Sequence, residues 1–327
     1  MKNYKPIIIV AGEPNSIFLE IFFKALKKKN KSPIILIASK KLLLLQMKKF
    51  NVRKKIKVIN HKNLKNYKLN NNLINLINVK YNPTKAFEKI SNKSNKYIQN
   101  SFMISFDILK KGITDKFING PISKKNFLKK DYLGITEYLA KKFNSTNSAM
   151  LIYNKKLSVC PITTHLPLKS VVKKINRKII TQKVNLIDSF FKEKLGFKPK
   201  IAVLGLNPHC ESVNKFNEDE RIIKPVVKNL KKRYSISGPY PADTIFTKNN
   251  RKKFDVIVGM YHDQVLTPIK TLYEYDAINI TLGLPFTRIS PDHGPNEKML
   301  GKNLSNPLSL IKAIKFLDKN WLKLKKI

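Results

Sequence analysis

Short runs of Ile and Val, bounded by turn residues, alternate along the chain with longer segments whose apolar residues recur at helical spacing. Lys5–Val10, Pro33–Ala38, Lys116–Asn119, Met150–Tyr153, Leu157–Pro161, Lys200–Leu204 and Asp255–Gly259 read as strands. Several are apolar almost throughout, as strands covered on both faces are. Between them, 17–29, 83–110, 168–194 and 218–233 carry helix-like spacing, clearest from Ser170 to Leu195, where Val171, Val172, Ile175, Ile179, Ile180, Val184 and Ile187 are separated by polar residues. Alternation of strand and helix predicts an α/β fold with a largely parallel sheet. Residues 51–100, thick with Lys and Asn, carry little pattern and are expected to be solvated helix faces or a loop. The chain shows no internal repeat and no long linker. Its 327 residues favour two domains, with a boundary near Asp131–Gly134.

Charge changes the picture less than its size suggests. Sixty-five Lys and Arg against 21 Asp and Glu give +44, a balance that suits nucleic acid or an anionic membrane. However, nearly all of it is Lys spread over the whole chain, together with abundant Asn and Ile. Discrete DNA readers cluster their basic residues and use Arg for bidentate base contacts. A general compositional bias toward Lys, Asn and Ile accounts for the charge better than a nucleic-acid partner does.

Other classes fall away. Two cysteines, Cys160 and Cys210, cannot form a disulfide framework or a four-ligand zinc finger. No apolar run approaches the ~18–20 residues of a membrane span. The opening MKNYKPIIIVAG enters a strand at once, which predicts no signal peptide and a cytoplasmic location. Among the 11 glycines no two stand as G-x-G, so both the dinucleotide fingerprint and the phosphate loop are absent.

The residues that carry chemistry lie in polar patches after predicted strands, where α/β proteins build their sites. Thr163-Thr164-His165-Leu166-Pro167-Leu168 follows the strand ending at Pro161, Gly205-Leu206-Asn207-Pro208-His209 follows the one ending at Leu204, and Met260-Tyr261-His262-Asp263-Gln264 follows the one ending at Gly259. A lone histidine in such a place is usually a hydrogen-bonded loop residue. Three of only five histidines in equivalent places suit a divalent metal that keeps an open position for substrate. The spacing is not a local zinc motif, so the fold must bring them together. From Thr267 to Gly294, Lys270, Asn279 and Arg288 fall nine residues apart. Two cations and an amide can hold a phosphate or carboxylate, with Arg offering a forked grip. In so basic a chain Lys270 also reads as a solvated lysine. His293 reads as a loop residue or a fourth ligand.

Taken in order, these patches resemble the 4-hydroxythreonine-4-phosphate dehydrogenase family, enzymes of pyridoxal phosphate biosynthesis. The matching stretches are Gly120-Pro-Ile-Ser-Lys-Lys, Gly134-Ile-Thr-Glu-Tyr-Leu-Ala, the three histidine patches, Gly238-Pro-Tyr-Pro-Ala-Asp-Thr-Ile-Phe, and Asn279 through Gly294, over nearly the full length. The resemblance implies two α/β domains flanking a cleft, as in isocitrate and isopropylmalate dehydrogenases: 1–133 with 298–327, and 134–297 carrying most metal and substrate residues. It implies that His165, His209 and His262 bind a divalent metal (Zn, Mg or Co) in a site shared across a homodimer interface. Thr136, Lys270, Asn279 and Arg288 would contact a small phosphorylated substrate. Asp243 and Asp263 would orient the histidines or relay a proton, although each also reads as a turn or helix-cap residue. NAD or NADP would take hydride from C3 of 4-phosphooxy-L-threonine. Loss of carbon dioxide would then give 3-amino-2-oxopropyl phosphate.

Departures from the family pattern keep alternatives open. Ile135 stands where the family usually has a histidine. The N-terminal Gly-Asp-Pro-Ala-Gly-Ile-Gly reads Gly12-Glu-Pro-Asn-Ser-Ile-Phe, and the stretches after Asn207-Pro208-His209 and after Gly294 have changed. Ile135 favours a related dehydrogenase acting on another phosphorylated hydroxy acid, such as a threonate or erythronate phosphate. A degenerate enzyme serving as a basic binding protein is the rival outside catalysis.

Overall fold

In a computed structural model the chain forms two compact units, Met1–Tyr138 with Pro285–Asn320, and Leu139–Leu284. The structure describes residues 4–128, 132, 134–211, 217–291 and 294–319. The division falls after Tyr138 and after Leu284, so the Thr136 and Arg288 patches belong to the first unit.

The strands, in chain order, are β1 (Ile7–Val10), β2 (Ile34–Ala38), β3 (Ile56–Val58), β4 (Ile74–Asn78), β5 (Lys116–Asn119), β6 (Ala149–Tyr153), β7 (Ser158–Pro161), β8 (Ile201–Leu204), β9 (Ile236–Tyr240), β10 (Val256–Gly259), β11 (Ile278–Leu282) and β12 (Thr287–Ser290). In the first unit they lie in the order β3-β4-β2-β1-β5-β12, every pair parallel. In the second the order is β11-β6-β7-β10-β8-β9, with β6 antiparallel to both neighbours and the rest parallel. The predicted α/β class is therefore the observed one. The central strands β1, β2, β8 and β10 are fully buried, which matches their unbroken Ile and Val runs.

Helix predictions needed two corrections. The expected 168–194 helix is two, Leu168–Lys174 and Arg177–Phe190. Ile175 turns extended, and the Asn176 side chain accepts the Ile179 N–H at 3.0 Å to start the second helix. Asn competes for backbone groups in this way, so a polar residue inside an apolar period becomes a cap. The 83–110 helix begins only at Asn95. Upstream, backbone groups pair elsewhere: the Glu88 N–H with Asn15 Oδ1, and the Ala86 carbonyl with Gln46 Nε2. Residues 51–100, expected to be helix faces or a loop, supply β3 and β4.

The core beneath the second unit's sheet joins Ile152, Val159, Ala202, Leu204, Ile257 and helix residues Val265 and Ile269. Each such side chain contributes about 1.5–3 kcal/mol on burial. That packing fixes where β7, β8 and β10 end.

Candidate active site

Strands β7, β10 and β8 are neighbours, parallel, and in register through Cys160, Val258 and Val203. The chain therefore leaves all three at one edge of the sheet, and each exit carries one of the predicted metal-binding histidines. Parallel strands lie about 4.8 Å apart, so consecutive exits deliver side chains to a common area. His165 and His262 meet with ring centroids 5.9 Å apart. Two imidazoles ligating one tetrahedral ion have centroids about 5 Å apart, so this pair stands slightly wider than a shared ion requires. The Asp263 carboxylate lies 2.6 Å from His262 Nδ1, the contact expected of a carboxylate that fixes an imidazole. His209 opens instead onto a cleft of about 320 Å³, lined also by Asp243, Tyr261 and Gln264. Among the described residues no three His, Cys, Asp or Glu side chains are gathered closely enough to hold a metal. Two of the three histidines thus come together, and His209 stands apart at the neighbouring strand end. His293 lies outside the described residues.

The three exits are tied to one another by side chains to which the sequence reading assigned no role. Thr163 Oγ1 donates to the Met260 carbonyl at 2.8 Å, joining the His165 and His262 loops. Gln264 Oε1 accepts the Met260 N–H and its Nε2 donates to the Gly205 carbonyl, both at 2.7 Å, joining the His262 and His209 loops. Asp219 accepts the Leu206 and Asn207 N–H groups. The signal available in sequence was an acidic trio, Glu218-Asp219-Glu220, in a chain with only 21 acidic residues.

The predicted anion-binding residues fall in both units. In the first, Arg288 on β12 is fully buried; its Nε donates to Asn119 Oδ1 at 2.7 Å and its Nη1 to Thr136 Oγ1 at 3.3 Å. Burial pushes its guanidinium down to about 9 against the opposing pull of Glu137, so it stays charged at neutral pH. In the second, Lys270 lies on the His262–Tyr273 helix, half-buried, with its ammonium lowered by desolvation. A desolvated lysine differs from the solvated one that composition allowed. Asn279 on β11 has a buried Oδ1 with no hydrogen-bond partner among the described residues.

Comparison with known proteins decides the family. The model of the pyridoxal phosphate biosynthetic protein PdxA matches residues 29–317. A 4-hydroxythreonine-4-phosphate dehydrogenase from Sulfurihydrogenibium is 42% identical over 315 residues, covering 94% of this chain and 96% of that one. The chain belongs to the PdxA family. It is accordingly a dehydrogenase. The crystal structure of the 4-hydroxythreonine-4-phosphate dehydrogenase from Klebsiella pneumoniae superposes with a TM-score of 0.81 at 28% identity, covering 96% of this chain and 98% of that one. A D-threonate 4-phosphate dehydrogenase from Pectobacterium atrosepticum is 42% identical over 166 residues, half of this chain and 51% of that one.

Within this PdxA-family chain, the departures from the family pattern have structural consequences in the first unit. Gly12 has φ +76°, and a Cβ there would lie 2.3 Å from the Pro121 carbonyl oxygen, so the turns after β1 and β5 press directly together. Behind them Glu13, Asn15 and Ser16 are at most 2% exposed. Glu13 accepts from the Asn15 N–H and from Ser94, and burial raises its carboxyl above the usual range. The turn after β1, where a Rossmann protein seats its pyrophosphate, is lined here by these buried side chains. Ile135 opens the helix Ile135–Lys142, next to the Thr136 hydroxyl that Arg288 contacts. Among the described residues no helix is long and apolar enough to cross a membrane.

Proposed function

We propose that the chain is a metal-dependent, NAD(P)-linked dehydrogenase that oxidises 4-phosphooxy-L-threonine at C3 and releases carbon dioxide, giving 3-amino-2-oxopropyl phosphate for pyridoxal phosphate synthesis. The observation that supports this most is the placing of His165, His209 and His262 at the ends of three adjacent parallel strands. These imidazoles would hold a divalent ion (Zn, Mg or Co), in a homodimer that completes the ligand set. When bound, the ion supplies a Lewis acid for the C3 hydroxyl and the β-keto acid, and NAD(P) accepts the hydride. Asp263 orients His262. Asp243, beside His209, is the second candidate for moving a proton. Arg288, Thr136, Lys270 and Asn279 contact the substrate, and the two cations hold its anionic groups.

Ile135 and the likeness to a D-threonate 4-phosphate dehydrogenase favour a second reading, the same chemistry on a phosphorylated hydroxy acid lacking the amine. Purified protein should be assayed with each substrate, NAD or NADP, and Zn, Mg or Co. The first reading predicts equimolar reduced cofactor and carbon dioxide from 4-phosphooxy-L-threonine. Turnover of D-threonate 4-phosphate alone establishes the second, and turnover of neither overturns both.

A further inference from the structure

We infer that Asp219 is the positioning residue that sets the turn from which His209 reaches a metal. The inference rests on the metal reading above. The case begins with backbone strain. His209 and Cys210 are consecutive non-glycine residues with φ of +55° and +60°. Left-handed backbone of this kind persists only where surrounding contacts over-determine it. Cys210 is buried, but the His209 ring is exposed, so packing of that ring does not hold the turn.

What holds it lies one step earlier. Asp219 is 0% exposed, and its carboxylate accepts three N–H bonds: Leu206 N at 2.8 Å, Asn207 N at 3.0 Å and Asn207 Nδ2 at 2.8 Å. All three donors belong to the two residues directly before Pro208-His209. Bonds from N–H to a carboxylate are the strong class, and removing a buried acceptor leaves its donors unsatisfied. Gly205 is shaped to the same contact. A Cβ there would lie 2.7 Å from Asp219 Oδ1 and 2.7 Å from Cys210 Sγ, so the missing side chain is what lets the carboxylate and the thiol close on the turn. Gln264 grips the Gly205 carbonyl from the other side and ties it to the His262 loop. Asp219 thus fixes His209 relative to the strand end that carries His262, without itself facing a ligand.

Outer groups that orient metal ligands typically alter affinity by about 10–100-fold when removed. Co(II) titration of the full-length protein, by visible absorption and calorimetry, tests the assignment on wild type, His209→Ala, Asp219→Ala, Asp219→Asn and Gly205→Ala, with the melting temperature of each metal-free protein measured alongside. Wild type should bind Co(II) and His209→Ala should lose it. Asp219→Ala should bind about 10–100-fold more weakly with an altered absorption spectrum. Asp219→Asn keeps an acceptor but turns an NH2 toward an N–H, and should fall between them. If Asp219→Ala does not fold, Asp219→Asn and Gly205→Ala carry the test. A purely structural Asp219 would lower the melting temperature and leave Co(II) affinity and spectrum at wild-type values in the folded variants, which overturns the inference alone. Wild type that binds no Co(II), or His209→Ala that binds it normally, overturns the metal reading and the role of Asp219 with it.

Discussion

At the ends of β1 and β5 stand Glu13, Asn15, Ser16 and Asn119, none more than 2% exposed, and their hydrogen bonds run to one another, to the backbone or to the side chains of Tyr81, Ser94 and Arg288. After β7, β8 and β10 the chain turns into loops of similar polarity, where the buried Thr163 and Asp219 and the half-buried Gln264 bond backbone amides and carbonyls. There His165 and His209 remain exposed and His262 half-exposed. The strand ends are closed in the first unit and open in the second. In the first unit polar groups tie the turns together and hold the buried Arg288 against Asn119 and Thr136. In the second they brace the loops that carry the three histidines. Departures from the family pattern fall in both units, at Gly12–Phe18 and Ile135 in the first and after His209 in the second.

The largest break in this contrast comes from the open edge. Replacing His262 with Ala should lower kcat by about a thousandfold or more, the several kcal/mol a Lewis acid supplies, and leave the melting temperature nearly unchanged. A large loss of stability instead would mean the imidazole belongs to the structure rather than to the site.

At the closed edge, kinetics and stability should fall together. Arg288→Lys replaces a planar fork with a point charge, and Lys cannot serve Asn119 and Thr136 as well as an anion. Loss of a charge-assisted bond costs about 1.5–3 kcal/mol, so kcat/KM should drop by up to about a hundredfold, chiefly through KM for the phosphorylated substrate. Unchanged kinetics with a lowered melting temperature would remove Arg288 from substrate binding.

Ile135→His sharpens the same edge in the opposite direction. Restoring a hydrogen-bonding ring beside Thr136 should raise kcat/KM for 4-phosphooxy-L-threonine by about tenfold. No gain in an already fast enzyme would show that the lost contact is compensated. No activity in either form, with D-threonate 4-phosphate turned over, would favour the second substrate reading.

The smallest effect concerns Glu13. Its carboxyl is raised above 4.5, first by desolvation, so the folded state holds the proton more tightly than the unfolded one. Stability from this group is therefore present at acid pH and lost as pH rises from 4.5 through the raised native value. Urea melts at pH about 4.5 and about 7.5 should show Glu13→Gln losing less stability across that interval than wild type. Equal losses would mean that Glu13 is not buried as an acid.

Much of this division was legible in the residues. The seven strands read from Ile and Val runs are all present because strands buried on both faces, the six parallel ones and the antiparallel β6 alike, are apolar almost throughout. The others carry mixed signals: β4 contains Asn75, whose buried amide donates to the Ile34 and Asn70 carbonyls, and β9 contains Gly238 and Pro239. The histidines stood out because each follows such a strand within a few residues. Asp219 did not, since its partners Leu206 and Asn207 are thirteen and twelve residues away in a stretch of sequence without period. Burial of Arg288 was equally hidden, because Asn119 is 169 residues distant in sequence.

The central claim is that the three open strand ends form one metal centre. Its most direct test is the metal content of the purified protein after reconstitution and desalting, by elemental analysis, for wild type and for His165→Ala, His209→Ala and His262→Ala. The account predicts about one divalent ion per chain in wild type and a near-complete loss in each variant. An ion that survives removal of any one of the three, or a wild type that retains none, would contradict it.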